Sequence, residues 1–175
     1  MKLFDVVNFD IMHMTKLGFA PTVCEFVNKV SSFNQVLAIG EFGKPIIRLV
    51  NAEAESDQET ANAVTSIIID TLHDSPVRLI KFNPVLDLVV STDESGMIEV
   101  WDPETHSMPE EGDTRLGYEL MSGTDLFDLA SKETYALSME LSSDGKLLAI
   151  LGRDQKLRVF SFRTGKLLRL FDETF

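Results

Sequence analysis

Short runs of alternating apolar and polar residues, separated by turn-forming clusters, recur along the whole chain. A period of two is the mark of a half-buried β-strand. The stretch 72–102 sets the phase. Val77, Leu79 or Ile80, and Phe82 predict a first strand, which Asn83-Pro84 stops because proline has no N–H to extend a ladder. Leu88, Val89 and Val90 predict a second strand, and Asp93-Glu94-Ser95-Gly96 a turn in which glycine supplies positive φ. Met97 to Trp101 predict a third, with Ile98 and Val100 on one face and Met97, Glu99 and Trp101 on the other. The result is three antiparallel strands joined by tight turns.

This pattern resembles a WD repeat, the blade of a β-propeller. His73 stands where that family has a Gly-His dipeptide, and Pro76-Val77-x-x-Ile80-x-Phe82-Asn83-Pro84 and the closing Trp101-Asp102 also match. With Trp101 as anchor, Phe4, Val50 and Phe160 fall at equivalent places, at successive intervals of 46, 51 and 59 residues. Each interval is one blade of about 40–45 residues plus an insertion. The expected fold is therefore all-β, a partial WD40 β-propeller of about three four-stranded blades plus the last two strands of a preceding blade, its ring not closed.

On this reading, residues 1–18 are the C-terminal half of a blade. Residues 19–71 are the first full blade, with strands at 22–27, 35–40, 45–50 and 64–70 and an acidic surface loop at 51–63. Residues 72–123 are the second, with Leu116 to Met121 as outer strand. Residues 124–175 carry a short helix at 124–132, N-capped by Thr124, then a third blade with strands at 136–141, 147–151, 156–162 and 166–171. Open flanks on both sides make the isolated chain prone to self-association through blade edges.

Composition narrows the chemistry. The chain has 175 residues, 44% of them apolar, enough for a packed core. Its net charge of −12 argues against direct nucleic-acid binding over the whole surface. The charge is uneven: residues 151–175 hold Arg153, Lys156, Arg158, Arg163, Lys166 and Arg169 against Asp154, Asp172 and Glu173. Cys24 is the only cysteine, which suits a reducing compartment, and its apolar surroundings place it in the core. No stretch reads as a signal peptide, and none approaches the ~20 apolar residues of a membrane helix.

Four positions of a WD repeat can form a hydrogen-bonded tetrad. This chain offers His73, Ser91 and Trp101, but the aspartate position reads Ser95, so the tetrad is broken unless Asp93 substitutes. The last blade keeps Asp154, has Lys132 near the histidine position, and carries Phe160 in place of tryptophan. The resemblance gives His73, Ser91, Trp101, Asp102, Asp154 and Phe160 structural roles. His73-Asp74-Ser75 holds the residue types of a hydrolase triad, but adjacent residues cannot take that geometry. His13 and His106 lack partners at metal spacing, and Glu53, Glu55, Asp57 and Glu59 lack the pattern of a calcium loop. No catalytic, cofactor or metal site is legible.

The segments Val6-Val7-Asn8-Phe9-Asp10, Leu17-Gly18, Ser95-Gly96-Met97-Ile98-Glu99 and Thr164-Gly165-Lys166-Leu167 with Phe171-Asp172-Glu173 resemble the WD-repeat cyclophilins over essentially the whole chain. That resemblance implies a nuclear, spliceosome-associated protein with protein partners. A separate cyclophilin domain would catalyse cis–trans isomerisation of X-Pro bonds. No cyclophilin-like Phe-x-x-Gln-Gly-Gly-Asp run occurs here, so the chain itself is expected to be a scaffold segment without isomerase activity. A WD40 scaffold of another intracellular complex and a small β-rich enzyme are the alternatives.

Overall fold

The computed structural model describes residues 1–28, 35–52, 66–110, 113–118 and 120–172. It is all-β apart from two single turns of helix, and its strands form four antiparallel sheets in chain order. The first sheet pairs β1 (Lys2–Asp5) with β2 (Asp10–Met14). The second runs β3 (Pro21–Phe26), β4 (Val36–Glu41), β5 (Ile47–Asn51), β6 (Ser66–Ile69). The third holds β7 (Val77–Asn83), β8 (Leu88–Asp93) and β9 (Ile98–Trp101). The fourth runs β10 (Ala136–Leu141), β11 (Leu147–Gly152), β12 (Lys156–Ser161), β13 (Leu167–Asp172).

The sheets repeat one another in register. Each of the last three has a bulge at the start of its first strand, between Pro21 and Val23, Val77 and Leu79, and Ala136 and Ser138. In each, the second residue of the second strand faces the large residue of the third: Leu37 opposite Val50, Val89 opposite Trp101, Leu148 opposite Phe160. Those three third-strand side chains are fully buried. Phe4, by contrast, is 56% exposed. Val50, Trp101 and Phe160 all point towards the preceding sheet, and Phe4 points away from the second sheet with nothing described beyond it.

Alternation along the strands sends successive side chains to opposite faces, so each middle sheet is apolar on both sides. Leu37, Ile39 and Val50 pack towards Leu3 of the first sheet. Ala38, Ile47, Leu49 and Ile69 meet Ile80, Val89 and Trp101 of the third. Leu88, Val90, Ile98 and Val100 on the other face of the third meet Met139, Leu148, Ile150 and Phe160 of the fourth. The first strands β3, β7 and β10 lie side by side, so the sheets converge on their first-strand edges.

The structure departs from the sequence reading at four places. Cys24 is exposed, not core. Its register equivalents Ile80 and Met139 are buried because a full sheet precedes each, whereas β1 and β2 are too few to reach it. No strand forms at Leu116 to Met121 among the described residues. Arg115 instead pulls this segment inward through Asp102 and Asp113, and Met121–Gly123 makes a single 3-10 turn. The helix at 124–132 shrinks to one turn, α1 (Asp128–Ser131), capped at Phe127 with no side-chain bond. Thr124 closes the 3-10 turn, its hydroxyl donating to the Met121 carbonyl at 2.6 Å. Most of the acidic loop, from 53 onward, lies outside the described residues.

Candidate functional site

The third sheet gathers more buried polar groups than the other sheets, Asn83, Ser91, Thr92 and Asp93 among them. Ser91 and Asp93 are two residues apart on β8 and so share a face, the one that meets the second sheet. The loop before β7 lays His73 over them, and β9 brings Trp101 beside Val89. His73 is buried, and Ser91, Asp93 and Trp101 are wholly so.

The partners fix the direction of the two outer hydrogen bonds. A carboxylate only accepts, so His73 donates from Nδ1 to Asp93 Oδ2 at 3.2 Å. His73 Nε2 and the Ser91 hydroxyl share a hydrogen bond of 2.7 Å. The Ser91 oxygen in turn accepts the Trp101 indole N–H at 3.1 Å. The result is a relay from Trp101 through Ser91 and His73 to Asp93. The other Asp93 oxygen, Oδ1, accepts from the Ser95 amide at 2.9 Å, the Ser95 hydroxyl at 2.7 Å and the Met97 amide at 3.1 Å, which locks the β8–β9 turn. The aspartate that meets His73 is thus Asp93, at the end of the strand, and not a residue at position 95 of the turn.

Ser91, His73 and Asp93 stand in the order of a hydrolase triad. Ser91 has no exposed surface, and its oxygen is engaged by both Trp101 and His73. No substrate can reach it, so the relay works as a lock between loop, strands and turn. His73-Asp74-Ser75 does not converge: the serine and aspartate that meet His73 lie 18 and 20 residues downstream.

Elsewhere the same register positions carry different chemistry. Ile39 and Ile150 replace Ser91, while Arg48 and Arg158 replace Glu99. Arg48 pairs with Glu41, the register equivalent of Asp93, at 2.7 Å. Arg158 is buried and pairs with Asp154 and with Asp128 of α1, each at 2.7 Å. Asp154 therefore holds an arginine, not a histidine, and Phe160 fills the tryptophan position as core. Asp102 is buried, accepting from the Glu104 amide at 2.7 Å and from Arg115 at 2.6 Å.

The sequence reading missed Asn83, whose side chain ties two sheets together. Its Oδ1 accepts from the Val85 amide at 3.1 Å, and its Nδ2 donates to the Gly145 carbonyl of the β10–β11 turn at 2.8 Å. An asparagine just before a proline is a turn signal, but the partner lies 62 residues away.

Several carboxyls have shifted acidity. Burial pushes Asp93 up, but hydrogen bonds from His73 and Ser95 outweigh it and hold it below the ordinary value. For Asp102, burial also raises and is overcome by the Glu104 amide and Arg115. Hydrogen bonding from Arg158 holds Asp154 low. Each folded-state value lies below the unfolded one, so this stabilisation is present above the unfolded value and is lost as pH falls through the folded ones. The denaturation midpoint is expected to decline below about pH 4. Glu99 runs the other way: burial pushes it up, so its ionised form costs stability at neutral pH. Glu99→Gln is expected to raise the urea midpoint at neutral pH and to leave it little changed in acid. An unchanged midpoint at neutral pH would contradict this.

No protein-family model matches the chain. Over 99% of its length it is 39% identical to peptidylprolyl isomerase domain and WD repeat-containing protein 1 of Homo sapiens and to the Mus musculus protein of that name. It is 34% identical to a peptidyl-prolyl cis-trans isomerase of Arabidopsis thaliana, also over 99% of its length. It spans 26% of the length of each of these proteins. A solved structure, the computationally designed Ika8 protein, shares the fold with a TM-score of 0.55 at 18% identity, over 89% of this chain and 37% of that one. From end to end the chain is similar to proteins named peptidylprolyl isomerase domain and WD repeat-containing protein 1, and it spans about a quarter of their length.

Proposed function

We propose that the chain is a protein-interaction scaffold, a partial WD40 β-propeller from a WD-repeat cyclophilin that works in the nucleus with the spliceosome. The observation that carries the propeller reading is the repeated register: the same bulge, the same buried third-strand residue and the same converging first strands in successive sheets. The domain divisions are those expected from the sequence: a half blade at 1–18, then blades at 19–71, 72–123 and 124–175. The Trp101–Ser91–His73–Asp93 relay holds one blade rigid so that its loops present a fixed surface. Partners are other proteins, met by loops and rims.

Isomerase activity belongs, on this reading, to a cyclophilin domain elsewhere in the parent protein. The four residues of the relay are sealed from solvent, so they cannot act on a peptide. The purified chain is expected to leave the rate of X-Pro isomerisation in a proline-containing peptide unchanged. Acceleration that persists after Ser91 is replaced would establish an unrecognised active site. Used as bait in nuclear extract, the chain is expected to enrich splicing proteins over a control of equal net charge. Enrichment of a different complex would favour the alternative scaffold.

A further inference from the structure

Between the third and fourth sheets, at the end where the β7–β8 and β10–β11 turns meet, lies a cleft of about 380 Å³. Val85 and Leu86 of the β7–β8 turn supply its apolar wall, and the fourth sheet supplies Gly145, Lys146 and Arg163. The walls are fixed relative to each other. Asn83 is wholly buried, accepts from the Val85 and Leu86 amides at 3.1 and 3.3 Å, and donates to the Gly145 carbonyl at 2.8 Å. A Cβ on Gly145 would lie 2.5 Å from Asn83 Oδ1 and 2.9 Å from Val85 Cβ, so the two turns meet without slack. Val85 is nevertheless 58% exposed, an apolar group held open at a set place.

Both cations of the cleft face solvent. Arg163 donates from Nη2 to the Thr114 carbonyl at 2.9 Å, and its own carbonyl accepts the Gly117 amide at 2.7 Å. It forms no ion pair among the described residues, and a guanidinium has five N–H donors to offer. Lys146 pairs with Asp144 at 3.4 Å, both side chains more than half exposed, a contact worth little in water. Asp144 is committed to its own turn, accepting from the Ser142 hydroxyl at 2.6 Å and the Lys146 amide at 3.1 Å. The third sheet carries Asp87 and Glu104 at the places of Lys146 and Arg163, so the basic pair is particular to this cleft. Glu104 is exposed although the fourth sheet packs against the third, so openness at this place belongs to the turn itself.

We propose that this cleft docks an acidic segment of a partner protein, one apolar side chain resting on Val85 and Leu86 while neighbouring carboxylates meet Arg163 and Lys146. The arginine fork takes a carboxylate by two parallel bonds, and the lysine adds a point charge. The chain as a whole carries −12, which repels acidic peptides from most of its surface, so their capture requires a local basic site such as this one. The inference goes beyond the scaffold reading, which names no face. It also fails separately, since splicing proteins can be recruited from nuclear extract through another surface.

Fluorescence anisotropy tests it, with the full 175-residue chain titrated into a labelled probe. The probe is a short peptide with one leucine among glutamates, and its control carries lysines in place of the glutamates. The acidic probe is expected to bind with a Kd of about 10–100 μM at low salt and the control not to bind. Arg163→Glu is expected to weaken binding by about tenfold or more, and Val85→Ser by about fivefold or more. Arg153→Glu, which reverses an exposed arginine outside the cleft, is expected to change it by less than about twofold. Trp101 fluorescence checks that the variants unfold at the same urea concentration as wild type. Should Arg163→Glu unfold earlier, Lys146→Glu reads the same charge from the other cation. No binding of the acidic probe at about 0.5 mM chain overturns the proposal. So does equal binding of the lysine control, a loss in Arg153→Glu as large as that in Arg163→Glu, or a Val85→Ser chain that binds as well as wild type.

Discussion

Replacing Ser91 by alanine is expected to lower the stability of the chain by about 2–6 kcal/mol, with no surface residue altered. The hydroxyl is the middle of the relay: it bonds to His73 Nε2 and accepts from Trp101 Nε1. Removing it leaves two buried polar atoms without partners, each costing about 1–3 kcal/mol. A domain of ordinary stability has only about 5–15 kcal/mol in total. The chain contains a single tryptophan, and it sits in the relay, so urea unfolding followed by indole fluorescence reads the effect at its source. A loss under about 1 kcal/mol would mean that the relay does not lock the sheet. Alanine is the informative choice because it removes one oxygen while keeping the backbone and strand propensity close to the original.

Gly96→Ala is expected to cost about 3 kcal/mol or more, for two reasons that add. Gly96 has a φ of +85°, a conformation that costs an L-residue about 1–2 kcal/mol. An added Cβ would also sit 2.2 Å from the Thr134 carbonyl oxygen and 2.9 Å from the Ala130 nitrogen, both backbone atoms with no rotamer to escape into. The β8–β9 turn is pressed against the end of α1 and the lead into β10, so relief means moving the third sheet off the fourth. Gly43 supplies the contrast. It shares a positive φ, +68°, but nothing lies within 4 Å of its would-be Cβ. Gly43→Ala should therefore lose only the backbone share, about 1–2 kcal/mol. Urea midpoints of the two variants measured together separate strain from collision. Equal losses would show that the close approach at Gly96 is unimportant.

Both effects arise where separate sheets meet, and that is where reading the sequence lost sight of the molecule. The strands around Trp101, and those of the last sheet, could be read because alternation and turn residues act over a few positions. Ala136–Leu141 is bounded as expected, and Asn83-Pro84 ends β7 as expected. The outer strand at 116–121 could not be refused in the same way. Its pattern suits a strand, but Arg115 binds Asp102 and Asp113 and turns the segment inward, a long-range outcome.

The candidate site divides along the same line. His73, Ser91 and Trp101 could be named from their places in a repeat, yet Ser95 stood where an aspartate was wanted. Only the folded register reveals that Asp93, two residues earlier and on the same face as Ser91, reaches His73 instead. Cys24 could not be placed either, since its strand is apolar but the sheet that should cover it is short.

Local order, then, was determined by the chain itself: strand positions, turn positions, and which side chains share a face, all consequences of a two-residue period and of glycine and proline geometry. Tertiary structure alone decided which faces are covered, which polar groups meet across 18 to 62 residues, and which carboxyls lose their ordinary acidity. The physical reason is that periodicity specifies direction from a backbone, while burial and pairing depend on what a distant part of the chain brings to the other side.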